Sequence, residues 1–284
     1  MSTPRFESKL TECQKFIESY RKHRQPHDDF VALELGTGWY PIIPLGLYLC
    51  GAREVHTIDI HPLLSRKRVR RALELIIDSA RSGTLLHLLP AYRHERVREL
   101  EVLLSFVDRE SPAALLDRIG IKVIVTDARS IPLPDHAVDL IFSSVVLAHI
   151  PAAVLVNIMA EFQRVAKPDA TMAHLINLVD QYSFFDRSIT PFNYLKYTSS
   201  QWRWLNSPLI WQNGLRLSDY KRLIANSGFR VVEEENVLGL NQDLDRVKLA
   251  PEYEKYHRDD LLVLRSYLAC RPVVDRAMTQ HAGR

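Results

Sequence analysis

Apolar residues recur along the chain with two different spacings, which predict alternating strands and helices. Short runs rich in apolar and β-branched residues, typical of strands buried in a parallel sheet, occupy Phe30–Leu35, Glu54–Ile60, Ile121–Thr126, Val138–Ser143 and Thr171–Val179. Apolar positions at helical spacing occupy Phe6–Tyr20, Ile42–Cys50, the segment that Pro151 opens, and Leu217–Asn226. The alternation predicts a parallel sheet with helices on both faces.

Three parts of the chain depart from this alternation. Residues 64–118 show helical spacing and are longer than a strand–helix–strand connection needs, so we predict a helical insertion on the sheet. Val231–Val232 and Leu261–Cys270 follow one another through a loop without a clear helix, which predicts a hairpin with one antiparallel strand. Pro26 lies in a polar stretch and predicts the end of an amino-terminal helical segment, 1–28.

Composition and charge narrow the class of protein. The 284 residues are 46% apolar and 25% charged, as in ordinary globular proteins, and we expect a single domain over 1–284. Lys and Arg number 37 against 34 Asp and Glu, so the net charge gives no general case for a nucleic-acid or membrane partner. Three cysteines indicate a reducing compartment and the polar first 30 residues indicate no secretory signal, so we expect a cytoplasmic protein.

Residues able to hold a nucleotide-like ligand follow the predicted strands. The first strand leads into Glu34–Gly38, where two glycines permit a sharp turn and close approach of a ligand to the backbone. The second strand ends at Asp59, whose carboxylate can accept from both hydroxyls of a ribose. The third ends at Asp127, which can accept from an adenine amino group, and the fourth ends at Ser143. Ligands of open α/β sheets bind beyond these carboxyl ends.

These segments resemble the class I S-adenosylmethionine-dependent methyltransferases, in particular the type 11-like enzymes that act on small molecules. The matching segments are Leu33–Gly38, Ile58–Ile60, Thr126–Ala128 with Ile131–Asp135, Val138–Ser143 leading to Val146–Pro151, and Glu161–Pro168. The resemblance implies an α/β fold with a doubly wound, mostly parallel seven-stranded sheet whose last hairpin is antiparallel, a Rossmann-like arrangement. It also implies S-adenosylmethionine as the cofactor.

The resemblance further implies residue roles at the cofactor. It assigns the methionine and ribose part to Glu34, Gly36, Thr37 and Gly38, the ribose to Asp59 with Ile60 beside it, the adenine to Asp127 and Ala128, and the methionine end to Ser143. Two segments depart from the family pattern. Tyr40 stands where a third glycine is frequent, and we expect it to reshape the pocket or contact the substrate. The usual Lys-Pro-Gly-Gly turn reads Lys167–Ala170.

Candidate groups for the methyl acceptor follow the fourth and fifth strands. His149, Asp180 and Asp186 are candidate general bases, and Tyr182 and Arg187 are candidate substrate contacts. The competing interpretations are that His149 packs against the following helix, and that the other four belong to a solvated loop held by its own turn bonds. The aromatic-rich segment 180–214 is either a lid over the substrate or a second small core.

Other kinds of site also fit parts of the pattern. The glycine turn and Asp59 suit a nicotinamide dinucleotide site, although no third glycine follows three residues later. Arg66–Arg71 holds five basic residues, which indicate a nucleic-acid contact or, as we favour, a solvated helix face. His56 and His61 flank Asp59, but strand alternation points the two rings to opposite faces, so we expect no metal.

We therefore predict a methyltransferase that uses S-adenosylmethionine to methylate an oxygen of a small molecule, sugar-like or another secondary metabolite. The alternatives are a non-catalytic cofactor-binding partner subunit and an RNA or DNA methyltransferase. The expected partner is a small-molecule acceptor, with no membrane contact and with nucleic acid disfavoured. The insertion is compatible with a homodimer.

Overall fold

Seven strands form one sheet in the structure, a computed structural model that describes residues 1–23, 29–207 and 211–273. The strands are β1 Val31–Leu35, β2 Glu54–Asp59, β3 Ile121–Val125, β4 Val138–Ser144, β5 Ala166–Asn177, β6 Phe229–Leu238 and β7 Val263–Pro272. Their spatial order is β3-β2-β1-β4-β5-β7-β6. Strands β1, β2 and β3 pair in parallel, whereas β6 and β7 are antiparallel. The mostly parallel seven-stranded sheet with an antiparallel end is thus confirmed.

Helices connect these strands along the described part of the chain. They are α1 Thr3–His23, α2 Ile42–Leu49, α3 Arg66–Arg81, α4 Thr84–Leu88, α5 His94–Leu104, α6 Pro112–Asp117, α7 Ala152–Val165, α8 Ser199–Leu205, α9 Leu217–Asn226, α10 Asn241–Asp245 and α11 Arg258–Leu262. Short 3₁₀ helices occupy Leu147–His149, Gln181–Phe184, Asn193–Lys196 and Pro251–Tyr253. Pro26, predicted to end the first helical segment, lies outside the described residues. None of the described helices is long and apolar enough to cross a membrane.

The chain divides into two compact units. The first comprises Met1–Phe142 with Arg164–Ala173, and the second comprises Ser143–Gln163 with the residues from His174 onward. Strands β4 and β5 therefore supply residues to both units. The expectation of a single domain over 1–284 stays a prediction.

The core of the first unit is built on β1, whose five residues are all buried. Gly46 of α2 lies against α1, because a Cβ atom at that position would meet the Cys13 Sγ atom at 2.7 Å. The buried carboxylate of Asp139 in β4 accepts a hydrogen bond from the Val31 amide of β1 at 2.8 Å. The Lys167 ammonium lies 2.8 Å from both oxygens of the same carboxylate. An ion pair and a hydrogen bond that share the Asp139 carboxylate therefore join β1, β4 and β5 near their amino ends.

Four helices, α3 to α6, occupy the region between β2 and β3, as the sequence predicts. The basic residues at the start of α3 are engaged inside this unit. Arg70 forms an ion pair with Asp108, and the Arg66 Nε atom donates to the Glu110 carbonyl oxygen. The Arg68 guanidinium lies 4.0 Å from the ring centre of Trp39. These contacts support the solvated helix face over a nucleic-acid contact.

The core of the second unit uses much of the aromatic segment 180–214. Phe192, Tyr194 and Trp202 are buried with Tyr253 and Leu262 in one cluster. In contrast, the side chains of Phe184, Phe185 and Trp204 are exposed, Trp204 to 89%. The buried part of the segment is thus a second small core, and residues 208–210 lie outside the described part.

The connection between β6 and β7 was wrongly predicted to lack helices. It contains α10, the 3₁₀ helix Pro251–Tyr253 and α11, and β7 begins at Val263 rather than Leu261. These helices are too short to show a helical period in the sequence. They are stabilised by burial of Leu244, Leu261 and Leu262 in the aromatic cluster. Strand β6 is also longer than Val231–Val232, because the acidic run Glu233–Glu235 pairs with β7.

Candidate functional site

The glycine turn after β1 has the backbone that a close ligand approach requires. Gly36 and Gly38 have positive φ angles of 90° and 61°, which side chains with a Cβ atom rarely adopt. The Gly36 amide donates to the Ile58 carbonyl oxygen at 2.7 Å, which ties the turn to β2. A Cβ atom at Gly38 would meet no atom within 4 Å. The turn therefore leaves open space beside its backbone.

Asp59 ends β2 directly beside this turn. One carboxylate oxygen accepts from the Gly38 amide at 3.2 Å, and the other accepts from the His61 amide at 3.1 Å. The carboxylate is thus held in one orientation while its side chain stays partly exposed. Each oxygen keeps a further lone pair, so Asp59 can still accept two hydroxyls, as a ribose needs.

Glu34 belongs to a buried hydrogen-bond network next to the glycine turn, and the sequence did not predict this network. The Thr57 Oγ1 atom lies 2.6 Å from the Glu34 Oε2 atom and 2.6 Å from the Thr37 Oγ1 atom. Burial raises the pKa of Glu34 to about 8. A protonated Glu34 can donate to Thr57, which in turn can donate to Thr37, because one hydroxyl has only one proton to give. These hydrogen bonds link Glu34 to Thr37 in the glycine turn.

A pocket of about 180 Å³ opens beside Asp59 in the first unit. Thr37 and Asp59 are among its polar lining residues, and most of the lining is apolar, including Leu63, Pro112 and Val125. The insertion therefore supplies part of the wall next to a predicted cofactor residue. An apolar slot beside a carboxylate, such as the one next to Asp59, fits the flat, poorly hydrated face of an adenine ring.

The residues predicted to contact the adenine, Asp127 and Ala128, and Ile60 beside the ribose do not line this pocket. Asp127 is exposed and forms a two-pronged ion pair with Arg129, which lowers the pKa of the carboxyl group. Ala128 is buried, and the Ile60 side chain is 66% exposed. Of the predicted cofactor residues, Thr37 and Asp59 thus line one pocket, whereas Asp127 and Ile60 do not line it.

Ser143 belongs to the second unit and is held by a histidine that the sequence did not single out. Its hydroxyl oxygen lies 2.8 Å from the Nδ1 atom of His174, and both side chains are buried. Burial lowers the pKa of His174 to about 3, so the ring is neutral. The ring stacks on Phe162 with 5.9 Å between ring centres. The Ser143 hydroxyl is therefore held in one orientation by His174.

Among the candidate groups for the methyl acceptor, His149 is exposed, and one hydrogen bond orients its ring. It ends the 3₁₀ helix Leu147–His149, and its Nδ1 atom lies 2.6 Å from the Trp211 carbonyl oxygen. A carbonyl oxygen can only accept, so Nδ1 carries a proton and Nε2 keeps its lone pair when the ring is neutral. The ring therefore presents a basic nitrogen away from Trp211.

The two aspartates differ from His149 in their surroundings. The buried Asp180 carboxylate accepts from the Tyr182 amide at 2.8 Å and from the Asn193 side chain at 3.0 Å, while burial raises its pKa. Asp186 is exposed and accepts from Ser188, which lowers its pKa. These contacts match the interpretation as a loop held by its own turn bonds, and no hydrogen bond among the described residues joins either aspartate to His149.

The three predicted substrate contacts lie in different places. The Tyr182 hydroxyl donates to the Leu205 carbonyl oxygen at 2.7 Å and accepts from the Ser207 amide at 3.0 Å. Arg187 is exposed on the loop after Asp186. Tyr40 is in the first unit, where its hydroxyl accepts from the Met1 amino group at 3.0 Å. Tyr182 is thus part of the loop's own support.

No group of His, Cys, Asp and Glu residues suited to a metal ion is found within 1–23, 29–207 and 211–273. His56 lies 3.4 Å from Glu54 rather than beside His61. Desolvation by burial lowers the pKa of His56.

Comparison with known proteins bears on the family and the fold. Residues 79–173 match a family model described as a methyltransferase domain. The matched region includes β3, β4 and α7, and it begins after the glycine turn and Asp59. No curated protein matches the chain.

Two solved structures share the fold at a TM-score of 0.50. One is a candidate sarcosine dimethylglycine methyltransferase from Galdieria sulphuraria, 14% identical, with 92% of this chain and 85% of that chain covered. The other is a geranyl diphosphate methyltransferase in complex with S-adenosylmethionine, 11% identical, with 92% of this chain and 86% of that chain covered. By the methyltransferase model over residues 79–173 and by the order of its sheet, the chain is similar to the class I S-adenosylmethionine-dependent methyltransferases.

Proposed function

We propose that the protein transfers a methyl group from S-adenosylmethionine to a hydroxyl oxygen of a small molecule. The residues of the first unit fit the cofactor. Asp59 holds the ribose, the Gly36–Gly38 turn leaves room for close approach, and the apolar pocket beside Asp59 takes the adenine ring. Glu34 and Thr37 support the turn through their shared contact with the Thr57 hydroxyl.

The observation that carries oxygen as the acceptor atom is the orientation of His149. A hydroxyl group has a pKa far above neutral, so an enzyme that methylates it needs a base to take the proton as the new bond forms. The Nδ1–H group of His149 donates to Trp211, which leaves Nε2 available to accept that proton. When bound, S-adenosylmethionine supplies an electrophilic methyl group on a sulfonium ion. The hydroxyl oxygen would gain the methyl group as the methyl carbon–sulfur bond breaks and S-adenosylhomocysteine leaves, and the hydroxyl proton would move to Nε2.

The other candidate bases are less suitable. Both oxygens of Asp180 accept hydrogen bonds from its own loop, and its carboxylate is buried. Asp186 is exposed, and its lowered pKa makes it a weak base at neutral pH. We therefore give the role of base to His149 and a supporting role in the loop to Asp180.

The basic residues at the start of α3 contact other residues of the first unit, and this favours a small molecule over RNA or DNA as the methyl acceptor. Three of the five basic residues between Arg66 and Arg71 contact acidic, carbonyl or aromatic partners within the first unit. A nucleic-acid site would instead leave such side chains free to contact phosphates.

The test compares His149→Gln with the wild type on a panel of phenols, sugars and other hydroxylated metabolites, with S-adenosylhomocysteine release as the readout. Glutamine fills a similar volume but cannot take a proton, so kcat should fall by about 10²- to 10⁴-fold. The affinity for S-adenosylhomocysteine, measured by calorimetry, should stay unchanged. His87→Gln, on the exposed face of α4, is the matched control.

An unchanged kcat in His149→Gln would show that transfer needs no base at this position, and an amine would then be the better acceptor. If the wild type binds S-adenosylhomocysteine but methylates no member of the panel, the non-catalytic partner subunit becomes the better interpretation.

A further inference from the structure

A second pocket, of about 420 Å³, opens within the second unit. Its lining includes the aromatic side chains of Trp202, Trp211 and Tyr253 together with Arg203, Asn206 and Gln212. We call it the tryptophan pocket. Its volume is in the range of small-molecule sites. Its three aromatic rings can pack against a flat ligand, and the polar side chains among them can fix the ligand's orientation.

One wall of the tryptophan pocket is held rigidly by its backbone. The Asn206 side chain donates to the Gln212 carbonyl oxygen at 2.7 Å and accepts from the Gln212 amide at 3.0 Å. The Trp202 indole donates to the same carbonyl oxygen at 3.0 Å. Asn213, the next residue, donates to the carbonyl oxygens of Leu147 and Ile150. The position of Gln212 is therefore fixed before any ligand arrives.

The Gln212 side chain is the unsatisfied group in this wall. Only 2% of the residue is exposed, and its Oε1 atom has no hydrogen-bond partner among the described residues. A buried carboxamide oxygen without a partner costs about 1–3 kcal/mol. Gln212 lines the pocket, and the broad terminal torsion of glutamine gives this oxygen freedom to turn toward a ligand donor there. A ligand O–H or N–H group would remove that cost.

The charge of the lining is positive. Arg203 is its one charged residue in the part of the chain that the structure describes, and no ion pair or hydrogen bond of its guanidinium is found there. Ser199, which also lines the pocket, donates its hydroxyl to the Glu252 carboxylate at 2.7 Å, so that carboxylate already has a partner. A guanidinium beside aromatic walls favours a planar ligand that carries a carboxylate.

We propose that the tryptophan pocket binds the methyl acceptor, and that the acceptor is an aromatic acid. Its ring packs against Trp202 and Trp211, a donor group on it satisfies Gln212, and its carboxylate pairs with Arg203. The inference rests on the proposed function, because the Trp211 carbonyl oxygen accepts from His149 and so connects the pocket wall to the base.

The test measures binding without turnover. Ligand-observed NMR on the full chain, with S-adenosylhomocysteine present, compares benzoate, 4-hydroxybenzoate and indole-3-carboxylate with the corresponding neutral amides. At least one acid should bind about 10-fold more tightly than its amide. Arg203→Gln should abolish that preference, and Gln212→Met, which keeps the side-chain length, should weaken binding of acid and amide alike by about 10-fold, the ratio that corresponds to 1.4 kcal/mol.

The matched controls are Arg230→Gln and Trp204→Ala, two exposed positions outside the pocket lining, and both should bind as the wild type does. Melting temperatures identify any variant that has lost its fold, in which case Gln212→Leu replaces Gln212→Met. The inference is wrong if no acid binds the wild type, or if both pocket variants bind acids unchanged.

The two proposals fail in different ways. If acids bind with the expected pattern but no hydroxylated acid is methylated, the tryptophan pocket is a binding site and the proposed function is wrong. If hydroxylated molecules are methylated and Gln212→Met and Arg203→Gln leave their KM unchanged, the function holds and the acceptor binds elsewhere.

Discussion

The Gly38 amide donates a hydrogen bond to an oxygen of Asp59 over 3.2 Å. These residues lie 21 positions apart, one in the turn after β1 and the other at the end of β2. The bond arises because β1 and β2 pair in parallel, so that their carboxyl ends meet at one edge of the sheet. A ligand that contacts the turn therefore also reaches the carboxylate.

Asp59→Ala should weaken the binding of S-adenosylhomocysteine by at least about 10-fold. A hydrogen bond to a charged group contributes about 1.5–3 kcal/mol, and the variant loses its bonds to the ribose. Calorimetry gives the dissociation constant, and Asp78→Ala, on the exposed face of α3, is the control. Equal affinities for the wild type and Asp59→Ala would show that the ribose lies elsewhere.

Glu34 should make the unliganded protein less stable as the pH rises. Its pKa in the folded protein is about 8 because the side chain is buried, whereas an unfolded glutamate titrates near 4.5. Between those values the folded state holds a proton that the unfolded state has lost, so the free energy of unfolding falls by up to about 1.4 kcal/mol per pH unit. Urea unfolding at pH 5 and pH 8 should show a larger loss for the wild type than for Glu34→Gln. Parallel losses in the two proteins would contradict a buried, protonated Glu34.

Lys167→Met should destabilise the protein by about 3–5 kcal/mol, because it leaves the buried Asp139 carboxylate without its cation. The Lys167→Met/Asp139→Asn double variant should recover much of that loss, since the amide carries no charge. Denaturant unfolding measures both. A double variant no more stable than Lys167→Met would mean that packing around Lys167, and not the unpaired charge, causes the loss.

Asp180→Ala should lower the free energy of unfolding by about 1–3 kcal/mol, because the Tyr182 amide and the Asn193 side chain lose their acceptor. Asp186→Ala, an exposed turn residue, should stay within about 0.5 kcal/mol of the wild type. Thermal and denaturant unfolding provide the comparison. If Asp180→Ala keeps full stability but loses turnover, Asp180 and not His149 is the base.

Local sequence determined the strands of the first unit and the ligand-facing turn between them. Runs such as Val31–Leu35 can be recognised because both faces of a parallel strand are buried, and Gly36 and Gly38 because their backbone angles exclude other residues. Asp59 followed from its place at a strand end. These features depend on a few neighbouring residues, so the chain alone carries them.

Tertiary packing decided the parts that no local pattern contains. Helices α10 and α11 have five residues each and form where Leu244 and Leu261 are buried, so their sequences show no period. Thr57 looks like any β-branched strand residue until parallel pairing sets it opposite Glu34. His149 gains its orientation from Trp211, 62 residues away, through a carbonyl group that every residue possesses. Such contacts between distant residues depend on how the chain folds back on itself, and only the tertiary structure specifies them.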